Sequence, residues 1–167
     1  MDTARLVALI AATITTGWMS GLFYGFSVSV MPGLKRSGDR TVIETMQRIN
    51  VAILNGWFML GYLGALLFTG LALGLHVPSG APDALPALIG AFVAYAAAMA
   101  VTGLVNIPLN NALEQAGPAD RLDDAGAARV RQAFEGRWVR ANAWRAVLCT
   151  VALGFLAWAL VLYGRGA

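Results

Sequence analysis

The chain has 167 residues, 58% of them hydrophobic and only 13% charged, with a mean hydropathy of +0.65, a net charge of +3 and a pI near 9.5. Soluble domains carry about 25% charged residues, so this composition excludes an ordinary water-soluble globule. The single Cys149 excludes an internal disulfide, and the lone His76 excludes a multi-histidine metal or haem site.

Four apolar stretches, 6–31, 52–75, 85–107 and 141–163, are each long enough to cross a hydrocarbon layer of about 30 Å, which takes about 20 residues. They predict an all-α chain, a single domain over 1–167 built as a four-transmembrane-helix bundle. The first stretch follows Arg5 but is too long for a signal peptide and ends in no small-residue cleavage site. Along it Thr13, Thr16, Ser20, Tyr24, Ser27 and Met31 recur every three or four residues and form one stripe. Gly17, Gly21 and Gly25 lie beside that stripe and predict close approach of a neighbouring helix. Pro32-Gly33 marks the end of this helix, where proline ends or kinks it.

The segment Thr41-Val-Ile-Glu44 has capping-box spacing. From there Val42, Ile43, Met46, Ile49 and Ile53 recur at helical spacing, which predicts a helix running into the second span without a break. Gln47, Asn50, Leu54 and Trp57 share a face of it, with Asn55 on another. A turn at 78–86 leads to the third span, where Tyr95, Met99, Thr102, Asn106 and Asn110 align and Pro108 marks the end. Val130, Phe134, Trp138 and Ala141 then form an apolar stripe opposite Arg129, Arg131, Glu135 and Arg140, leading into the fourth span with Trp138, Asn142, Arg145 and Cys149 in line. Each hairpin thus reads helix, Pro, Leu, amphipathic stretch, Asn, helix. That is either a degenerate repeat or two similar solutions to one packing problem.

Of the twelve Lys and Arg residues, nine fall in the two long loops, two (Arg5 and Arg165) flank the termini, and Arg145 is inside a helix. The positive-inside rule then places both amphipathic extensions and long loops in the cytoplasm and both termini outside. The basic charge is an orientation signal, and no nucleic-acid partner is expected. With this topology Ser27, Asn106 and Asn110 lie at the inner ends of their helices, while Asn50, Asn55, Asn142 and Arg145 lie at the inner beginnings of theirs. Four helices therefore deliver hydrogen-bonding groups to one leaflet. Such residues can simply join helices, at about 0.6 kcal/mol per contact, and an Arg near a helix end can snorkel to the headgroups. Ionisable residues inside a membrane are otherwise functional candidates.

The stretches GLFYGFSVSVMPGL (21–34), MQRIN (46–50) with Asn55, NIPLN (106–110) and Trp138…Asn142…Arg145 resemble the anthrone oxygenase-like family of small four-helix membrane proteins. The resemblance covers nearly the whole chain in order. It implies oxidation of anthrones to anthraquinones with O₂, a site among Pro32, Asn50, Asn106, Pro108, Asn110, Trp138, Asn142 and Arg145, and location in a bacterial inner membrane. An anthrone is a carbon acid whose enolate can react with O₂ without a metal. Arg145, Asn106 and Asn142 are the expected catalytic donors to the enolate oxygen. Asn50, Asn55, Asn110, Trp138, Tyr24 and Trp57 are the expected substrate-binding residues, the aromatics supplying stacking surface. Glu114 is the nearest carboxylate in sequence that could serve as base. No flavin, nicotinamide or phosphate-binding spacing occurs, so no cofactor and no metal are expected. The competing expectation is a protein that binds or moves a small lipophilic molecule, or supports a partner amid membrane lipid. Transport would require a homo-oligomer.

Overall fold

The computed structural model describes residues 2–77 and 82–165. All regular structure among them is helical: α1 Asp2–Gly25, α2 Met31–Leu34, α3 Asp39–Ala52, α4 Gly56–His76, α5 Leu85–Val101, α6 Ile107–Gln115 and α7 Asp124–Arg165. Residues 78–81 of the expected turn at 78–86 lie outside the described residues. Its remainder is a short 3₁₀ turn, Pro82–Ala84, and the start of α5 at Leu85. Four continuous helical stretches, Thr3–Leu34, Gly56–His76, Leu85–Gln115 and Asp124–Arg165, are long and apolar enough to cross a membrane. α1 packs against α4 and α7, and α5 packs against the same two, so the four long helices close a ring.

Neither Pro32 nor Pro108 ends its helix. Each sits just after a five-residue π turn, Phe26–Val30 before Pro32 and Thr102–Asn106 before Pro108. There Met31 N–H bonds Phe26 O and Ile107 N–H bonds Thr102 O, one residue further back than in an α-helix. The wider turn accommodates a proline that has no N–H to donate and would clash with the preceding turn. The two hairpins therefore share this backbone device as well as their sequence order.

The second amphipathic segment does run unbroken into its span. α7 has 42 residues, about 63 Å at 1.5 Å per residue, twice the hydrocarbon thickness. The first does not. The expected continuous helix stops at Ala52 and restarts at Gly56, because Asn55 adopts an extended conformation (φ −128°, ψ 167°) and caps α4. Its Oδ1 accepts from Trp57 N–H at 3.0 Å and Phe58 N–H at 3.1 Å, and its Nδ2 donates to Ala52 O at 2.9 Å. The expected capping box is also displaced. α3 begins at Asp39, so Thr41 and Glu44 are inside the helix and Glu44 pairs with Arg48 at 2.7 Å.

Three apolar clusters stack along the ring. Ala8, Leu9, Ala12, Leu88 and Leu156 fill the end near His76, and Met19, Phe23, Tyr95, Ala146 and Cys149 fill the middle. Met31, Ile43, Met46, Leu113, Phe134 and Trp138 fill the end carrying the basic loops. At that end Arg131 bonds Lys35 O, Ser37 O and the carboxylates of Asp39 and Glu135, while Arg40 bonds Leu122 O and Asp124. Each loop is thus held by an arginine of the opposite hairpin. The glycine stripe of α1 does not act as expected, since a Cβ at Gly21 or Gly25 would meet nothing within 4 Å. The close approaches are elsewhere: a Cβ at Gly61 would lie 2.6 Å from Met19 Cε, and one at Gly90 would lie 2.9 Å from the Phe155 ring.

Candidate functional site

Between the middle cluster and the basic-end cluster lies a cavity of about 260 Å³. Both π turns reach it, through Phe26 on one side and Thr102 and Asn106 on the other. α3 contributes Asn50, α4 contributes Phe58 and Tyr62, α6 contributes Asn110, and α7 contributes Trp138, Asn142 and Arg145. Asn50, Asn106, Asn110, Trp138, Asn142 and Arg145 are thus brought to one wall system from four elements.

Arg145 is its only charged member, and it is 6% exposed. Its guanidinium carbon sits 4.3 Å from the Phe23 ring centroid and 5.4 Å from that of Trp138. A cation held over two aromatic faces gains from their quadrupoles when water is excluded. Nη2 donates to Asn142 Oδ1 at 2.8 Å. Nε is buried with no hydrogen-bond partner, and no carboxylate lines the cavity. Arg145 therefore turns inward among rings rather than outward to headgroups.

Asn142 is fully committed. Its Nδ2 donates to Phe23 O at 2.9 Å and Ser27 Oγ at 2.8 Å, and its Oδ1 receives Arg145. An amide engaged at both ends orients the guanidinium and has no free donor of its own. Trp138 Nε1 donates to Asn110 Oδ1 at 2.8 Å, fixing the indole across the cavity. Phe26 and Phe134 pack on that indole at centroid separations of 5.6 and 6.0 Å. Asn106 is buried and makes one long contact, Nδ2 to Trp138 O at 3.5 Å, which leaves its Oδ1 without a partner. Asn50 Nδ2 is likewise buried and unpartnered. Groups left unsatisfied in this way cost about 1–3 kcal/mol each, and three of them in the lining of one cavity, two donors and one acceptor, are matched by a ligand with an oxygen acceptor and a hydroxyl.

Four sequence-derived candidates, three for binding and one for the base, lie elsewhere. Tyr24 is 59% exposed on the outer face of α1, while its neighbour Phe23 is the residue that turns inward. Asn55 is the cap of α4, and Trp57 is 78% exposed outside the cavity. Glu114 lines a different, polar recess with Glu44, Gln47 and Arg48 at the basic end. Among the described residues no group of three or more His, Cys, Asp or Glu is placed to hold a metal ion.

Sequence reasoning missed Phe23, Phe26, Phe58 and Tyr62 as lining residues, and it put Thr102 on the same face as Asn106 without counting it in the site. One signal was present: Phe58 and Tyr62 are four apart, and their rings stack at 5.4 Å with an 11° interplanar angle.

Comparison with known proteins bears on this geometry. The family model described as anthrone oxygenase matches residues 55–155, more than half of the chain, and the chain belongs to that family. No significant match is found among curated proteins or among solved structures.

Proposed function

We propose that this member of the anthrone oxygenase family oxidises a lipophilic, anthrone-like aromatic ketone with O₂ inside the membrane, using Arg145 to hold the substrate as its enolate. One observation carries this reading: a buried arginine with no carboxylate beside it and a free Nε in an aromatic-walled cavity. A lone cation in such a place is matched by an anionic or strongly polarised oxygen.

The reaction balances without another reductant. An anthrone loses the two hydrogens of its CH₂ carbon, that carbon takes one oxygen atom as the new carbonyl, and the second oxygen atom leaves with the hydrogens as water. The enolate supplies electrons to O₂. Arg145 Nε and Asn50 Nδ2 stabilise its oxygen, Asn106 Oδ1 accepts from a substrate hydroxyl, and Trp138 and Phe26 offer flat surface. The lining contains no carboxylate, histidine or lysine. The proton leaves to water, favoured by the lowered pKa of a substrate held against a cation. The volume lies just below the usual range of about 300–1,000 Å³ for ligand pockets, which suits a small planar ligand.

The clusters toward His76 favour this reading over transport through one chain, because among the described residues apolar side chains pack that end of the ring. The charge distribution supports a cytoplasmic position for the basic end, hence a site in the inner leaflet of a bacterial inner membrane. The test is O₂ uptake and anthraquinone absorbance with the purified chain in lipid nanodiscs and dihydroxyanthrone as substrate. Turnover above autoxidation that Arg145→Met abolishes is expected. Binding without any acceleration would make the chain a carrier of such molecules instead.

A further inference from the structure

Leu22, Ile53 and Phe58 line the cavity and also a second, open depression of about 430 Å³, whose other walls are Trp18, Met19, Asn55 and Trp57. The two spaces therefore lie side by side and share a wall of these three side chains. Trp18 and Trp57 belong to helical stretches apolar enough to cross a membrane, and both are exposed, so the depression faces hydrocarbon. The local backbone shapes it. The interruption at 53–55 breaks the helical phase, and Gly61 lets Met19 lie against α4, with the two indoles at the rim. Asn55 brings the only side-chain amide, and both ends of it are used to join α3 to α4. Apart from the indole N–H groups of Trp18 and Trp57 at the rim, the other side chains of the depression are apolar. An aliphatic chain is the matching occupant.

We propose that the substrate is an aromatic head carrying an alkyl or prenyl tail, with the tail leaving the cavity past Leu22, Ile53 and Phe58 to lie between Trp18 and Trp57. This rests on the reading of the cavity as the site of an oxygen-bearing aromatic. Lipid is as apolar as the groove, so the tail's gain is not hydrophobic transfer but close packing on the faces of the two indoles, about tenfold in affinity. The tail also tethers the head at the depth of Arg145 and raises its effective concentration there. The other occupant of such a groove is the acyl chain of an ordinary bilayer lipid.

The experiment uses the full chain in phosphatidylcholine nanodiscs with two probes, dihydroxyanthraquinone and the same head bearing a decyl chain that ends in a diazirine. On irradiation the tailed probe should label Trp18, Met19 or Trp57, and excess untailed probe should abolish that labelling. The ratio of tailed to untailed affinity should fall about tenfold in the Trp18→Ala, Trp57→Ala double variant. Partition into the bilayer raises the affinity of the tailed probe equally for both proteins, so the change in ratio reports the groove. Labelling on Leu104 or Ile107, or an unchanged ratio, would overturn the tail assignment while the cavity reading stands. Groove labelling that survives excess untailed probe would identify an ordinary acyl-chain site and overturn it too. If neither probe binds, the cavity reading fails and the tail with it. Labelling of the unaltered protein does not depend on how the tryptophan variants fold.

Discussion

A guanidinium that only anchored a helix would point to the headgroups, and lysine would serve in its place. Arg145 points the other way, with Asn142 behind it and two rings beneath it. Arg145→Lys should therefore lose activity, because an ammonium cannot bond Asn142 and present a second donor in one plane. Arg145→Met should keep its melting temperature in detergent, since it removes a buried charge and retains the apolar stem, yet turnover should fall by about 10²–10³, the usual cost of one donor to a developing charge. Unfolding of the Met variant alongside full activity of the Lys variant would reduce Arg145 to an anchor. The pH profile gives a second check. With no carboxylate, histidine or lysine in the lining, the rate should rise with pH along a single limb set by the substrate. Arg145 favours the anion, so the midpoint should move down for a more acidic substrate and up in Arg145→Met. A limb unaffected by the choice of substrate would reveal a protein base. The sequence made Asn142 a donor to the same oxygen as Arg145, because spacing shows which face a residue is on. Spacing does not show that a neighbouring helix offers Phe23 O and Ser27 Oγ to consume the amide.

At the scale of elements, composition and apolar run length were sufficient for four spans, and the stripe from Val130 to Ala141 was sufficient for the long α7. What the periodicity could not carry was helical phase across an interruption. Trp57 follows Leu54 by three residues and would share its face in a continuous helix, but the cap at Asn55 restarts the helix in a new phase. The π turns shift phase only for residues beyond them; Phe23 and Tyr24 precede the first one, and Phe23 is the one in register with buried Ala12, Thr16 and Met19. Asn55 was visible as a polar residue out of register, and an N-cap is what such a residue most directly supplies. Asn55→Ala should therefore lower stability by about 0.5–2 kcal/mol, with Asn55→Asp largely restoring it, both read from thermal melts in one detergent. Glycine spacing was equally incomplete. Gly21→Ala should leave the melting temperature unchanged or raise it, since no atom stands within 4 Å of the added methyl. Gly90→Ala should cost about 1–3 kcal/mol, because the obstacle is a ring of Phe155 rather than a flexible chain end. Equal melts for the two glycine variants would contradict the packing of α5 on α7.

For the whole molecule, the polar site and the basic charge lie at the same end, and the two facts have one orientation to explain. Nine of the twelve basic residues are in the segments between the first and second spans and between the third and fourth. Several of them are structural: Arg131 and Arg40 tie each loop to the opposite hairpin, so their positions do not by themselves report topology. Lys35, Arg36, Arg129 and Arg137 have no such task among the bonds of those clamps, and it is this surplus that the positive-inside rule counts. Cys149 is fully buried, so the chain offers a silent background for single added cysteines. Lys35→Cys and Arg129→Cys should resist a membrane-impermeant maleimide in intact cells and react after permeabilisation, while Val77→Cys, at the opposite end of α4 and exposed, should react in both. The opposite pattern would turn the cavity toward the outer leaflet and place a lipophilic substrate's entry there. A mixed pattern, with all three reacting partially in intact cells, would mean dual insertion, for which the surplus of basic loop residues is too large on one side.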